Sequence, residues 1–242
     1  MLACIGCEWR MRSDLVQSDS NSFVERYDKI EAFFLASGDF SALQQMQTRY
    51  PVETRRLIED VLQLGKVDDV NIKSRFYIYF QDSTLQALIA EVGRQYEDFS
   101  DLDEQLEDAF SRLNELVPGA DIPKVYTQIS SLDQSIVVDS GQLAISLDKY
   151  LGADYPLYHK FGYTDRQRSM MERDYIVPDC LGFYLLSLYS IPDTLNRDVH
   201  MGRIQHVVNT VLDQRIFEND FVRQAEELTA SGCSFTDLLK NK

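Results

Sequence analysis

The residues of this chain with the widest chemical repertoire are three histidines, His159, His200 and His206, and four cysteines, Cys4, Cys7, Cys180 and Cys233. Two histidines on one helix hold zinc at a spacing of four with a glutamate between them, as in HExxH. Four residues advance about 400° and bring the second imidazole back to the face of the first. His200 and His206 are six apart, in His200-Met201-Gly202-Arg203-Ile204-Gln205-His206. Six residues advance about 600°, which leaves the rings roughly 120° apart around the helix. No glutamate lies between them. The expectation is two ordinary histidines, at the surface or partly buried, with no metal site and no other cofactor. Cys180 sits in the apolar run Ile176-Val177-Pro178-Asp179-Cys180-Leu181, where a thiol is usually a small core residue. A Cys–His nucleophile would need its imidazole brought in by the fold. A disulfide between Cys180 and Cys233 stays open, with nothing specific in its favour. The chain holds no GxSxG, P-loop or GxGxxG.

The carboxylates divide in two. Asp68-Asp69, Glu107-Asp108 and Glu226-Glu227 are neighbours on helical stretches and read as solvated faces. Asp148 and Asp154 follow a strand and flank Tyr150-Leu151-Gly152. Asp148 is expected to anchor that loop by accepting hydrogen bonds from backbone amides. A calcium site would need more oxygen ligands than this segment offers.

Cys4 and Cys7 have two readings. As a CxxC pair they would be redox-active or half of a zinc site. A redox pair follows a strand and opens a helix, and a zinc site needs two more ligands nearby; neither condition is met. The other reading is the end of a bacterial lipoprotein signal, in which a small residue precedes the cysteine that takes the lipid. Ile5-Gly6-Cys7 fits, and Leu2-Ala3-Cys4 fits less well. Such signals carry an apolar run of roughly 7–15 residues, so the true start is expected upstream. This reading makes residues 1–7 a signal remnant with Cys7 as the lipid attachment site. Residues 8–22, rich in Ser, Asp, Asn and Gln, then form a flexible tether, and 23–242 a single folded domain. No other stretch approaches the roughly 18 apolar residues of a membrane span.

Of the 242 residues, 44% are apolar and 26% charged, as in an ordinary globular protein, and the net charge is −15. A surface that acidic repels phosphate backbones, which argues against nucleic acid as a partner.

The elements follow from periodicity. Phe23, Tyr27, Ile30 and Phe34 mark one helix face. Helices are predicted over 40–48 and 52–64. Residues 76–80 (FYIYF) are strand-like in propensity but lean to helix or turn, and a helix follows over 84–96. Ser100 is expected to cap the next helix, with Asp101, Asp103 and Glu104 at its positive end and Leu102, Leu106, Phe110, Leu113 and Leu116 as its buried stripe. Strands are expected at 124–130, 135–138 and 143–147, the last two joined as a hairpin over Asp139-Ser140-Gly141-Gln142. A polar helix is predicted over 164–174 and an apolar one over 178–189. A long helix over 193–212 is opened by Pro192, and another runs over 218–229. Helices, sheet, helices reads as an α+β fold, mostly helical with a small central β-sheet.

The segment Ile145-Ser146-Leu147-Asp148-Lys149-Tyr150-Leu151-Gly152-Ala153-Asp154-Tyr155-Pro156-Leu157-Tyr158 resembles the I-x-L-D-x-Y-L-G-x-D-x-P-x-Y stretch of the GldB family of gliding-motility-associated lipoproteins. Glu25-Arg26-Tyr27-Asp28, Arg49-Tyr50-Pro51, Ile122-Pro123-Lys124-Val125-Tyr126-Thr127 and Ile176-Val177-Pro178-Asp179 resemble other family segments in the same order. The resemblance implies a lipoprotein of the cell envelope, outer-membrane-anchored, with envelope protein partners. It also implies a fold similar to zincin-type metalloproteases, in which a long helix after the sheet carries HExxH. The helix over 193–212 takes that place here without the ligands, so the resemblance implies an inactive scaffold that binds or assembles. The rival reading is a metal-dependent, peptidase-like hydrolase in which His159, His200 or His206 converges with acids such as Asp148. A third is a ligand-binding module with a deep pocket lined by Tyr77, Tyr79 and Phe80.

Overall fold

The computed structural model describes residues 22–191 and 196–241. Cys4, Cys7, the signal remnant, nearly all of the tether and the helix start at Pro192 lie outside the described residues.

The fold is α+β. Helices α1 (Tyr27–Ser37), α2 (Phe40–Arg49), α3 (Pro51–Arg56), α4 (Ile72–Tyr79), α5 (Ser83–Gln95) and α6 (Ser100–Leu116) precede most of the sheet. A single π-helical turn, Leu57–Val61, continues α3. Residues 76–80 fall on α4 and its end, where Phe76 and Phe80 are buried, so packing on the core overrides their strand propensity. Two helix starts are set by aspartates: Asp39 accepts from Ser41 N–H, and Asp82 from Thr84 N–H.

Ser100 is not the cap of α6. It is the first helical residue, and its N–H and hydroxyl both donate to the Asp98 carboxylate. Four of the five predicted stripe residues of α6, Leu102, Leu106, Phe110 and Leu113, are buried together with Ala109, while Leu116 is half-buried.

The sheet has four strands, β1 (Val24–Glu25), β2 (Lys124–Gln128), β3 (Ile136–Asp139) and β4 (Gln142–Ser146), in the order β1-β2-β4-β3. β1–β2 and β2–β4 are parallel; β3–β4 is the expected antiparallel hairpin, with Ser140 and Gly141 both at positive φ in its turn. Phe23 does not belong to the first helix. It leads into β1, because Asp103 on α6 accepts from Ser22 Oγ, Phe23 N–H and Val24 N–H and holds the chain against β2. Four successive residues of β2, Val125 to Gln128, are buried, as are Leu143 to Ser146 of β4; alternate side chains face opposite ways, so both faces are covered. α1 packs on β2.

After β4 come a 3-10 turn, Leu147–Lys149, then α7 (Pro156–Lys160), α8 (Asp165–Arg168), α9 (Ile176–Leu188), α10 (Arg197–Leu212), α11 (Asp220–Ala230) and α12 (Phe235–Leu239). The helix expected over 164–174 is only the single turn α8, closed by a Thr164–Gln167 capping box, followed by a 3-10 turn at Arg173–Tyr175. That stretch has no apolar stripe to bury, and the chain leaves the helix so that Met171 can turn inward and accept from Gly152 N–H. Of the helices after the sheet, α9 lies against β3 and β4; α10 packs instead on α6, α9, α11 and α12.

Candidate functional site

In an open sheet with parallel strands, ligands bind outside the carboxyl ends of the strands. Here β2 and β4 are parallel neighbours, and the chain leaving β4 there is Leu147-Asp148-Lys149-Tyr150-Leu151-Gly152. Asp148 is fully buried, and its carboxylate binds backbone amides as expected, though not those of the Tyr150-Leu151-Gly152 loop it was expected to anchor. Its carboxylate accepts from Ser130 N–H at 2.8 Å and Leu132 N–H at 2.5 Å, the two amides that follow β2. Between and at those amides Ser131 (φ 59°) and Leu132 (φ 65°) are left-handed, a conformation that costs a non-glycine residue free energy and that the Asp148 carboxylate holds in place. Burial raises the Asp148 pKa, and the two amide bonds offset part of that rise.

The rest of the segment is bound in the same manner. Lys149 is buried, and its Nζ donates to Tyr163 Oη at 2.8 Å and to Leu132 O at 3.3 Å. Tyr163 donates to Leu132 O as well. Tyr158 donates to Asp148 O and accepts from Leu151 N–H. Tyr96 donates to Tyr150 O, and Tyr150 donates to Asp179 Oδ2 at 2.7 Å. Gly152 takes φ 101°, which no other residue adopts cheaply, and so closes the loop. The crevice at the strand ends is thus filled by the chain's own side chains. Asp154 is exposed and joins none of these contacts.

Two buried carboxyls, Asp28 and Glu31, and a half-buried one, Asp179, lie close by. Asp28 accepts from the Arg26 guanidinium and from Thr127 Oγ1. Glu31 accepts from Ile129 N–H with one oxygen, while the other is buried without a partner; burial pushes its pKa well up. Asp179 on α9 is raised to about 6, again by burial, with the Tyr150 bond pulling the other way. None of these three was singled out from sequence. A polar residue on a helix face reads as solvated until the neighbour that covers it is known.

The histidines do not converge. His200 is buried, with Nε2 2.8 Å from the carbonyl of Tyr189 at the end of α9. A carbonyl only accepts, so Nε2 carries the proton, and Nδ1 is left buried without a partner. His206 pairs Nε2 with Thr229 Oγ1 on α11 at 2.9 Å, lies beside the Phe235 ring, and has its pKa lowered by burial. Each ring pins α10 to a different neighbour, as the 120° offset requires. His159 is exposed on α7. Among the described residues, no three His, Cys, Asp or Glu side chains converge as metal ligands. Cys180 is buried and Cys233 half-buried, both as free thiols, so the disulfide left open is not formed. Burial raises the Cys180 thiol well above its ordinary pKa, which keeps it a poor nucleophile.

Tyr77, Tyr79 and Phe80, expected to line a pocket, are engaged elsewhere. Phe80 is in the core, Tyr77 covers Gly38, and Tyr79 shares a hydrogen bond with Ser131 Oγ. Two open clefts lie elsewhere, on either side of the segment joining α10 to α11. One, of about 290 Å³, is walled by α6, the start of α9 and the end of α10; the other, of about 310 Å³, is walled by Arg215, Phe217 and α11.

No helix among the described residues is long and apolar enough to cross a membrane. Comparison with known proteins gives one match: a family model described as gliding motility protein GldB fits residues 8–221. No curated protein and no solved structure matches the chain.

Proposed function

The chain belongs to the gliding motility protein GldB family, and from that premise we propose that it is a cell-envelope lipoprotein that binds partner proteins within an assembly and transforms no substrate itself. In this reading Cys7 carries the lipid, the outer membrane holds the anchor, and residues 8–22 span the gap to the folded body. The body is a degenerate zincin-like scaffold. A mixed sheet with an antiparallel edge strand, β3, and a helix laid across it, α9, is compatible with that architecture. The sequence of α9, IVPDCLGFYLLSL, has no histidine, and the two histidines of α10 face different helices.

One observation carries the binding reading over a catalytic one. The polar side chains at the carboxyl end of the sheet hold the chain's own backbone: Asp148, Tyr158 and Tyr163 bond to main-chain atoms, and Lys149 is closed in beneath Tyr163. Groups engaged in that way are not free to meet a substrate, whereas the open clefts are.

The anchor is tested in the native host. Blocking lipoprotein signal peptidase should accumulate a precursor, and Cys7→Ser should move the protein from the membrane fraction to the soluble one. No precursor and unchanged partition would remove the lipoprotein reading. The catalytic alternative, a metal-dependent peptidase-like hydrolase, is tested by metal analysis of the purified full chain. Stoichiometric zinc that is lost on His200→Ala or His206→Ala would replace the binding reading with that one.

A further inference from the structure

The N-terminal segment enters the body at one end of the sheet. Val24 pairs in parallel with Val125, the second residue of β2, so Ser22 and Phe23 lie level with the turn that leads into that strand and carries Ile122. The ring of Phe23 lies 6.0 Å from that of Phe110, and Phe110 meets Tyr184 of α9 at 5.5 Å. Tyr184 in turn donates to the carbonyl of Asp121, the residue before Ile122. α9 runs opposite to β2 and β4. Asp179, in its first turn, meets Tyr150 beyond the end of β4, and Tyr184 meets Asp121 before the start of β2. The last turn of α9 therefore lies at the end of the sheet where the chain enters, away from Asp148 and its loop.

That end exposes apolar side chains. Ile122, Phe183, Leu188 and Ile191 are each between 36% and 46% exposed. From Cys180 through Ile191 the chain carries no charged residue, although 26% of the whole is charged. The outer side of a surface helix ordinarily carries charged and polar residues, and the second half of α9 does not. At the rim, Lys124 is paired with Glu25 and Glu53, and Asp121 is exposed.

We propose that this end of the body rests on the lipid bilayer, with Ile122, Phe183, Leu188 and Ile191 set into the boundary between headgroups and acyl chains. The inference rests on the proposed lipid anchor at Cys7 and names the surface that the anchored body turns to the membrane. Two observations select a bilayer as the occupant. The first is where the tether is fixed. Ser22 follows Cys7 by 15 residues, a reach of at most ~50 Å at about 3.3–3.6 Å each, and Asp103 holds the chain to the body at this end. The end so held is the one brought to the lipid most often, and an anchor that close makes a weak contact effective. The second is charge. A net charge of −15 gives no attraction to anionic headgroups, so burial of apolar side chains is the interaction left. A second copy of the chain would bring the same charge against itself.

The test uses the full chain with six histidines added before Met1, held by a nickel-chelating lipid on vesicles of phosphatidylethanolamine and brominated phosphatidylcholine. This artificial anchor separates the question from whether Cys7 carries lipid, which fractionation of the native host decides. Trp9→Phe removes the single native tryptophan. In that background Phe183→Trp reports on the proposed seat. Phe161→Trp is the control: it is 58% exposed and lies at the opposite end, between Tyr158 and Tyr163, which bond to Asp148 O and Leu132 O. Bromine should quench the emission at position 183 about twofold, for a ring sunk ~5–10 Å into the boundary, and leave that at position 161 nearly unchanged. Raising the salt should keep or deepen the quenching, because it screens repulsion between the acidic body and the headgroups and leaves apolar contact intact. Ile122→Glu with Leu188→Glu should abolish the quenching while the chain stays on the vesicles; both positions are exposed, and thermal melts check that the fold is kept. Equal quenching at the two positions, quenching lost at high salt, or quenching unchanged by the two glutamates would overturn the proposal. No quenching at position 183 would overturn it too, giving this face to a protein partner and leaving the lipoprotein reading standing.

Discussion

Asp179→Asn gives a quantitative test of the buried network. Asp179 sits on α9 with its carboxyl against Tyr150 Oη, and its pKa is raised from the ordinary 3.8 to about 6 because ionisation there forfeits hydration. A folded-state pKa above the unfolded value means that the folded chain binds the proton more tightly. The stability from this group is fully present below about pH 4 and is lost as the pH rises through about 6. The full loss is ~3 kcal/mol, for a rise of roughly two units at 1.36 kcal/mol each. Between pH 5 and 7.5 the same two pKa values give a loss of ~1.4 kcal/mol, because part of the penalty is already present at pH 5. Asparagine keeps an acceptor for Tyr150 and does not titrate. Glu31 and Asp148, which are also raised, titrate alike in both proteins and cancel in the difference. Urea unfolding at a series of pH values should therefore show the variant gaining ~1.4 kcal/mol on the wild type from pH 5 to 7.5. Parallel pH profiles, or a gain in the opposite direction, would refute the assignment of a desolvated carboxyl at this position.

Other substitutions probe the packing and the loop. At Gly202 an added Cβ would lie 2.4 Å from Phe221 Cβ and 2.7 Å from its backbone carbon, so Gly202→Ala must push α10 and α11 apart; a cost of ~2 kcal/mol or more is expected in thermal or urea melts. Asp148→Asn leaves one acceptor oxygen where two serve Ser130 and Leu132, so one buried N–H loses its partner at ~2 kcal/mol, and hydrogen exchange at Leu132 should quicken well beyond that at β1. Excess zinc should leave the thermal midpoint unchanged; a rise that disappears in His206→Ala would favour the hydrolase reading.

Much of the local structure was legible from neighbouring residues. The 3.6-residue stripe of α6, the Ser140-Gly141 hairpin and the helix at 83–95 are written in spacing and turn chemistry over ten to twenty residues. For Asp148 only the kind of contact was legible, a carboxylate on backbone amides; that the amides are those of Ser130 and Leu132, beyond β2, depends on the pairing of β2 with β4. Also legible was the divergence of His200 and His206 around α10, since helix geometry alone sets their angle.

What the sequence could not give is the identity of partners far along the chain. Val24 pairs with Val125, Asp103 holds residues 22–24, and Tyr150 meets Asp179. Each contact joins segments that say nothing of one another locally, and each exists only once other elements have packed. Ser100 became the first residue of α6, bonded to Asp98, because several nearby side chains offer an oxygen and only the realised backbone path chooses among them. The histidines of α10 show the division most clearly. Their spacing on one helix determined that they would not act together, because rotation per residue is a local property. That they are buried, that His200 holds the end of α9 and that His206 holds α11 was decided only by the tertiary packing, because burial belongs to the neighbours that cover a residue and not to the residue itself.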